Sequence, residues 1–300
     1  MEPTVIAICY PVPVDATLLE ERRGPASLVE TLPGHRIVDM RDRHPDDLSP
    51  GEREQLSKVT AAFILDVPEW LFEHCPNLRW IHSLKTGYDH IDLNLLHARG
   101  IRLTNGAGTA ATEIAEFVIA RILEHWKFLP RIAEQQRSHE WRPRFGRALS
   151  DCRVVLVGYG PINQEVARLL GPFATRITAV RRSAGTPSPG VEKVMALSNL
   201  SDAVNDADVV VAALPSTSTT VHVFDAQMFA AMKAGAFFVN VGRGTAVVES
   251  DLVAALESGH LGGAAVDVTE VEPLPADDPL WTSDVRISPH CSASLDNIMR

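Results

Sequence analysis

Arg243, Glu272 and His290 are the residues of this chain whose types and settings could together do chemistry. Arg243 lies in Asn240-Val241-Gly242-Arg243-Gly244, directly after the apolar run Ala236-Phe237-Phe238-Val239. Glu272 lies in Asp267-Val268-Thr269-Glu270-Val271-Glu272-Pro273, just past Ala264-Ala265-Val266, and His290 closes Ile287-Ser288-Pro289-His290. Each phrase follows a strand-like run, and successive strand ends of a parallel sheet face one crevice. A guanidinium there can make a forked contact with carboxylate and keto oxygens. An imidazole can give or take a proton as general acid or base. A carboxylate bonded to that imidazole would orient the ring and favour its charged form. Such a trio could bind a carboxylate, hold a proton and deliver it to a carbonyl.

A second constellation lies upstream. Gly158-Tyr159-Gly160 follows the strand-like Arg153-Val154-Val155-Leu156-Val157 and opens a helical pattern at Pro161 and Ile162. This is the context a dinucleotide fingerprint requires. Gly158 can make the tight turn, Gly160 lets backbone approach a pyrophosphate, and the helix N-terminus favours the anion. The third fingerprint position holds Asn163 where glycine allows close helix–strand packing, which predicts a slightly displaced helix and weaker or altered binding. At the end of the next strand, where a carboxylate would receive the ribose of NAD, stand Arg181, Arg182 and Ser183. Two guanidiniums and a hydroxyl suit a 2′-phosphate, so NADP(H) is favoured over NAD(H). The plainer alternative is a pair of exposed charges.

The elements that must position these residues alternate. Strands are expected at Val5-Ile6-Ala7-Ile8, Ala62-Phe63-Ile64-Leu65, residues 80–84 and residues 101–105. A second series starts with Arg153 and continues at residues 177–180, 209–212, 236–239, 264–266 and 285–287. Helices are expected over 110–128, stopped by Pro130, and over 161–170, 226–232 and 249–257; residues 137–151 read as an extended arm. The alternation predicts an α/β chain of doubly wound parallel sheets, the second of Rossmann type. Asp89 and Asp92 are expected to cap and position the turn after the third strand.

Read together, these phrases resemble the D-isomer-specific 2-hydroxyacid dehydrogenases, from about Trp80 onward and most strongly from Arg153 to His290. Within that family the likeness is to the glyoxylate/hydroxypyruvate reductase branch. The resemblance implies NAD(P)H-dependent reduction of a small 2-oxo acid to the D-2-hydroxy acid, with His290 as general acid/base, Glu272 its partner and Arg243 the substrate anchor. It implies that Leu214, Pro215, Ser216 and Thr220, in a pattern like the family's LPxTxxT, line the nicotinamide side with Val241, Gly242 and Asp267. It implies that Lys85-Thr86-Gly87 belongs to a substrate loop whose Thr86 and Gly87 N–H groups bind carboxylate; Lys85 would add charge for a larger anion or simply be solvated. The implied architecture is a flavodoxin-like substrate domain (residues 1–102 and 286–300) and a Rossmann dinucleotide-binding domain (103–285), with the reaction in their cleft. It also implies a homodimer through the helix at 110–128. Glu272 stands where formate dehydrogenases carry Gln, which argues against formate. Ten residues follow His290, where the family generally runs on for another helix, so the return to the substrate domain is expected to be shortened. No regulatory domain is expected, which argues against the long phosphoglycerate dehydrogenases. An alternative within the same fold is a dinucleotide-sensing corepressor with little turnover.

Composition bounds the rest. Three hundred residues with 45% hydrophobic content suit two domains with ordinary cores. A net charge of −10 speaks against nucleic-acid binding. Cys9, Cys75, Cys152 and Cys291 show no metal-ligand spacing and read as free thiols, so no metal and a cytoplasmic setting are expected. Glu2 and the short apolar stretch from Val5 to Tyr10 predict neither a secretory signal nor a membrane span.

Overall fold

The computed structural model describes residues 4–9, 34–41, 43–150, 152–173 and 175–293. The chain divides into two compact units, Met1–Ala107 and Gly108–Arg300.

The first unit is built on β1 (Val5–Cys9), β2 (Arg36–Asp39), β3 (Ala61–Ile64), β4 (Trp80–Ser83) and β5 (Arg102–Asn105), all parallel, in the order β2-β1-β3-β4-β5. That is the flavodoxin-like doubly wound order. Every residue of β1 is buried, as a central parallel strand requires. One core gathers Ala7, Ala62, Ile64 and Ile81 with Leu56, Leu71 and Leu96. Those leucines come from α1 (Pro50–Ser57), α2 (Leu71–His74) and α3 (Leu93–Ala98). The helix starts obey local rules. Ser49 and Glu52 form a capping box ahead of Pro50, and the Asp92 carboxylate accepts from Asn94 N and Leu95 N at the start of α3.

The larger unit carries β6 (Arg153–Val157), β7 (Arg176–Arg181), β8 (Lys193–Ala196), β9 (Val209–Ala212), β10 (Phe237–Asn240), β11 (Gly263–Val266) and β12 (Val285–Ile287). The sheet runs β12-β11-β10-β9-β6-β7-β8 with every pair parallel, so the order reverses between β6 and β9. This is a Rossmann sheet with one added strand. β9, β10 and β11 are buried throughout, which gives their unbroken apolar runs. Helices α4 (Ala111–Trp126), α5 (Leu129–Arg137), α6 (Pro161–Leu170), α7 (Leu200–Val204), α8 (Ala226–Ala231) and α9 (Glu249–Glu257) complete it, with α4 packed along α6. Among the described residues, no helix is long and apolar enough to cross a membrane.

Three expectations change. The helix at 110–128 is shorter, and Pro130 does not close it: Phe128 turns left-handed at φ 54 and Pro130 sits in the first turn of α5. Proline lacks an N–H that a first turn does not need, so it starts this helix. The domain boundary expected at residue 102 would cut β5, whereas the division falls after Ala107. Arg286 and Ile287, expected to return to the first domain, instead belong to β12, which pairs with β11 in the larger sheet. Residues 294–300 lie outside the described residues. Of the arm expected over 137–151, residues 140–148 have no regular structure, with Trp141 97% and Phe145 90% exposed, whereas Arg137 ends α5 and Asp151 lies outside the described residues.

Candidate active site

His290 and Glu272 are brought together. Nδ1 of His290 lies 2.8 Å from Glu272 Oε2, and Oε1 of the same carboxylate accepts the Thr269 N–H at 3.1 Å. If the carboxylate accepts across this contact, the ring donates from Nδ1, and Nε2 lies outside the pair. The ring remains 54% exposed. His290 is held at φ 51, a left-handed conformation that costs a non-glycine residue about 1–3 kcal/mol. Its backbone is held there from below. His290 N donates to Asp267 O at 2.8 Å. The buried Asp267 carboxylate accepts from Ser288 Oγ (2.7 Å), Cys291 N (3.0 Å) and Ser292 N (3.0 Å). Asp267, expected at the nicotinamide, therefore has both oxygens engaged in fixing the His290 loop.

Arg243 follows β10 on a braced turn. Asn240 Oδ1 accepts Gly242 N at 3.1 Å, its amide donates to Arg243 O at 3.0 Å, and Arg243 Nη1 donates to Gly242 O at 2.8 Å. Neither flanking glycine could carry a side chain. A Cβ on Gly242 would meet Leu214 N at 2.5 Å, and one on Gly244 would meet Thr269 C at 1.9 Å. The Arg243 turn, the 214–216 segment and the Glu272 loop are thus interlocked through backbone. Nearby, Glu249 Oε1 accepts Glu270 N at 2.8 Å. Burial pushes the Glu249 carboxyl above its ordinary range; that hydrogen bond opposes the shift, and the carboxylates of Asp278, Glu270 and Glu272 reinforce it.

The glycine turn fits a dinucleotide. Gly158 has φ +85 and a Cβ there would lie 2.5 Å from Ala213 O, whereas the Cβ position of Gly160 opens onto space with nothing within 4 Å. Pro161 removes one N–H, and the next two, Ile162 and Asn163, begin α6 where no preceding turn can accept them. Asn163 has not been pushed out: it is fully buried. Arg181 ends β7 and Nε donates to Ser183 O at 3.1 Å; Arg181, Arg182 and Ser183 are all exposed. A Cβ on Gly185 would come 2.2 Å from Arg181 Nη2, so that glycine makes room for the guanidinium.

Residues 119–292 match the model of the D-isomer specific 2-hydroxyacid dehydrogenase NAD binding domain. The chain belongs to the D-isomer specific 2-hydroxyacid dehydrogenases. It is 32% identical to the glyoxylate reductase/hydroxypyruvate reductase of Mus musculus over 73% of this chain and 68% of that one. It is also 32% identical to glyoxylate/hydroxypyruvate reductase B of Escherichia fergusonii, over 71% of this chain and 68% of that one. An NADPH-dependent glyoxylate/hydroxypyruvate reductase of Sinorhizobium meliloti, solved with NADP and sulfate, superposes with a TM-score of 0.80 at 27% identity, covering 98% of this chain and 90% of that one. The chain is accordingly a nicotinamide-dinucleotide-dependent oxidoreductase of this family, reducing 2-oxo acids and acting on the CH–OH group in reverse.

Against this family the remaining site residues fall into place unevenly. Leu214 is buried, and Ser216 Oγ accepts from Thr245 Oγ1 at 3.0 Å. Thr220 is turned inward: Oγ1 accepts from Thr217 N at 2.8 Å and donates to Pro215 O at 2.6 Å, so it shapes its loop from within. Val241 is buried and its N donates to Ala212 O. In the first unit, Asn105 Nδ2 donates to Thr86 O at 2.6 Å and Gly106 N to Lys85 O at 3.2 Å, which anchors the 85–87 turn. Lys85 Nζ lies 2.6 Å from Asp66, so its charge is paired. Sequence reasoning missed Asn240, Glu249, Ser288 and the His222–Glu270 pair at 3.1 Å. A polar residue directly after an apolar strand, as Asn240 is, was the available signal.

Proposed function

We propose that this chain reduces glyoxylate, hydroxypyruvate or a similar small 2-oxo acid to the D-2-hydroxy acid, preferring NADPH. The 2.8 Å contact of His290 with Glu272 carries the reading. Arg243 binds the substrate carboxylate and keto oxygen. In the first unit, the N–H groups of Thr86 and Gly87 are the anion donors, with Lys85 held by Asp66. A bound nicotinamide dinucleotide supplies the hydride to the carbonyl carbon. His290 gives its Nε2 proton to the keto oxygen and is left neutral, while Glu272 keeps the ring in register. In oxidation the same nitrogen takes the proton back. Gly158, Tyr159, Gly160, Pro161 and Ile162 receive the pyrophosphate, and Arg181, Arg182 and Ser183 the 2′-phosphate. Leu214, Pro215, Ser216, Val241 and Gly242 border the nicotinamide, with Thr220 shaping that loop and Asp267 fixing the His290 loop beside it.

The same reading includes a homodimer and a cytoplasmic setting. A groove of about 1140 Å³ between α4, α5 and β12 is lined by Phe117, Arg121, Leu129, Arg131, Arg137 and Arg286. Glu124, Glu134 and Asp284 line it too and pair with Arg121, Arg137 and Arg286; with Trp141 and Phe145 exposed just beyond α5, this mixed apolar and charged face suits a second copy.

Oxidation of NADPH and NADH, side by side, against glyoxylate, hydroxypyruvate, pyruvate and phenylpyruvate tests the proposal. Turnover is expected with NADPH and the two small hydroxylated or unsubstituted acids. Silence across the panel with dinucleotide still bound would contradict it. Arg181→Asp is expected to move the NADPH/NADH preference toward NADH by about tenfold, the worth of one charge-assisted contact. An unchanged ratio would remove Arg181 from the 2′-phosphate site.

A further inference from the structure

We infer that Asn163 is a positioning residue for the dinucleotide, its amide clamping the phosphate-binding turn from inside the sheet where the fingerprint's third glycine would stand. This rests on the cofactor reading above. Asn163 is fully buried on the first turn of α6. Nδ2 lies 3.1 Å from Val157 O, 3.1 Å from Gly158 O and 3.4 Å from Val211 O. Those carbonyls belong to the last residue of β6, the left-handed turn glycine and the neighbouring strand β9. One side chain therefore ties together the three pieces of backbone that meet beneath the pyrophosphate turn.

The carbonyls do not need it. Val157 O already accepts Ala213 N at 2.9 Å, and Gly158 O accepts Gly160 N at 2.9 Å. Each oxygen has a second lone pair, which the amide takes up. Nor is the amide there for packing, because Oδ1 is buried with no partner. An unmade hydrogen bond at a buried oxygen is unfavourable, and an apolar side chain of similar shape would avoid it. Turning the amide over would set Oδ1 against three carbonyls, so its orientation is fixed. What the amide adds is restraint: Gly158, whose backbone is already closed in by Ala213, is held through its carbonyl as well. Where the fingerprint's glycine would allow close helix–strand contact, Asn163 places a hydrogen-bonded clamp.

The test uses the full chain as wild type, Asn163→Ala and Asn163→Ser. Two ligands are titrated calorimetrically: NADP+, and adenosine 2′-monophosphate, which lacks the pyrophosphate. Thermal midpoints are read alongside. Asn163→Ala is expected to weaken NADP+ about tenfold and the adenosine fragment less than about twofold, beside the modest fall in midpoint that truncating a buried side chain brings. Asn163→Ser, which keeps one donor, is expected between wild type and Ala. Unchanged NADP+ affinity, or an equal loss on both ligands, would overturn the inference while leaving the cofactor reading intact. Wild-type protein that binds neither ligand would instead overturn the cofactor reading, and the inference with it.

Discussion

The two ends of the seven-stranded sheet treat carboxylates in opposite ways. At the N-terminal end, Asp208 precedes β9 and is buried, yet it sits among donors. Lys233 Nζ is 2.7 Å away, Arg147 Nη2 3.2 Å and Arg153 N 3.0 Å. Burial pushes its carboxyl up, but the two cations and the N–H together outweigh it and hold the carboxyl below its ordinary range. At the C-terminal end, beyond β10 and β11, Glu249 has Asp278, Glu270 and Glu272 for neighbours and its carboxyl is raised. One end pairs unlike charges and ties strands and arm together. The other crowds like charges around an imidazole, holds His290 in a left-handed backbone and leaves no space beside Gly244. The first end has the pattern of a stabilising network, and the second carries the residues proposed for chemistry, where strain is expected to collect.

Three substitutions would break or sharpen that contrast. The largest effect is expected from Glu272→Gln. An amide NH2 facing Nδ1 pairs with a neutral ring whose proton sits on Nε2, a far weaker acid than the imidazolium. Turnover should fall by about 10²-fold, roughly 2.7 kcal/mol of barrier, with dinucleotide affinity and thermal midpoint kept. Turnover within twofold of wild type would make the pair incidental. Asp208→Asn should do the reverse, leaving turnover unchanged and lowering stability by on the order of 1–2 kcal/mol, read as a fall in thermal midpoint, given the partial exposure of both cations. Because the folded carboxyl is lowered, its contribution is present above about pH 4 and disappears as pH falls through the folded value. A midpoint difference that grows on acidification would contradict the assignment. Glu249→Gln should give the smallest change. A raised folded carboxyl contributes stability below about pH 4.3 that is lost as pH rises through the folded value. The variant should therefore match wild type near pH 4 and exceed it at pH 8, by under about 1 kcal/mol. Equal pH dependence in both proteins would show that the crowding has no effect on stability.

Legibility in the sequence followed burial. β9, β10 and β11 are buried on both faces and read directly as apolar runs; the Arg243 and Glu272 phrases follow β10 and β11, while His290 follows the half-buried edge strand β12. β2 and β8 lie at sheet edges, with exposed residues such as Arg36, Asp39 and Lys193 that carry no apolar period, and neither was expected. The start of α5 was hidden because Pro130 reads equally as a stop or as a first-turn residue. In the site, the residue types and the loops were legible; the partners were not. Asp267 meets Ser288, Cys291 and Ser292 across more than twenty residues of chain, and Asn163 meets Val211 across 48. Such contacts depend on how strand ends line up in the folded sheet, which a local pattern does not encode.

The central claim, that His290 is the proton donor and the dinucleotide site stands apart from it, is tested most directly by His290→Ala. NADPH affinity and NADPH oxidation with hydroxypyruvate would be measured on the same preparation. Turnover should fall by about 10²-fold or more while NADPH affinity stays within about twofold of wild type. Retained turnover, or a loss of turnover matched by an equal loss of NADPH binding, would contradict the account.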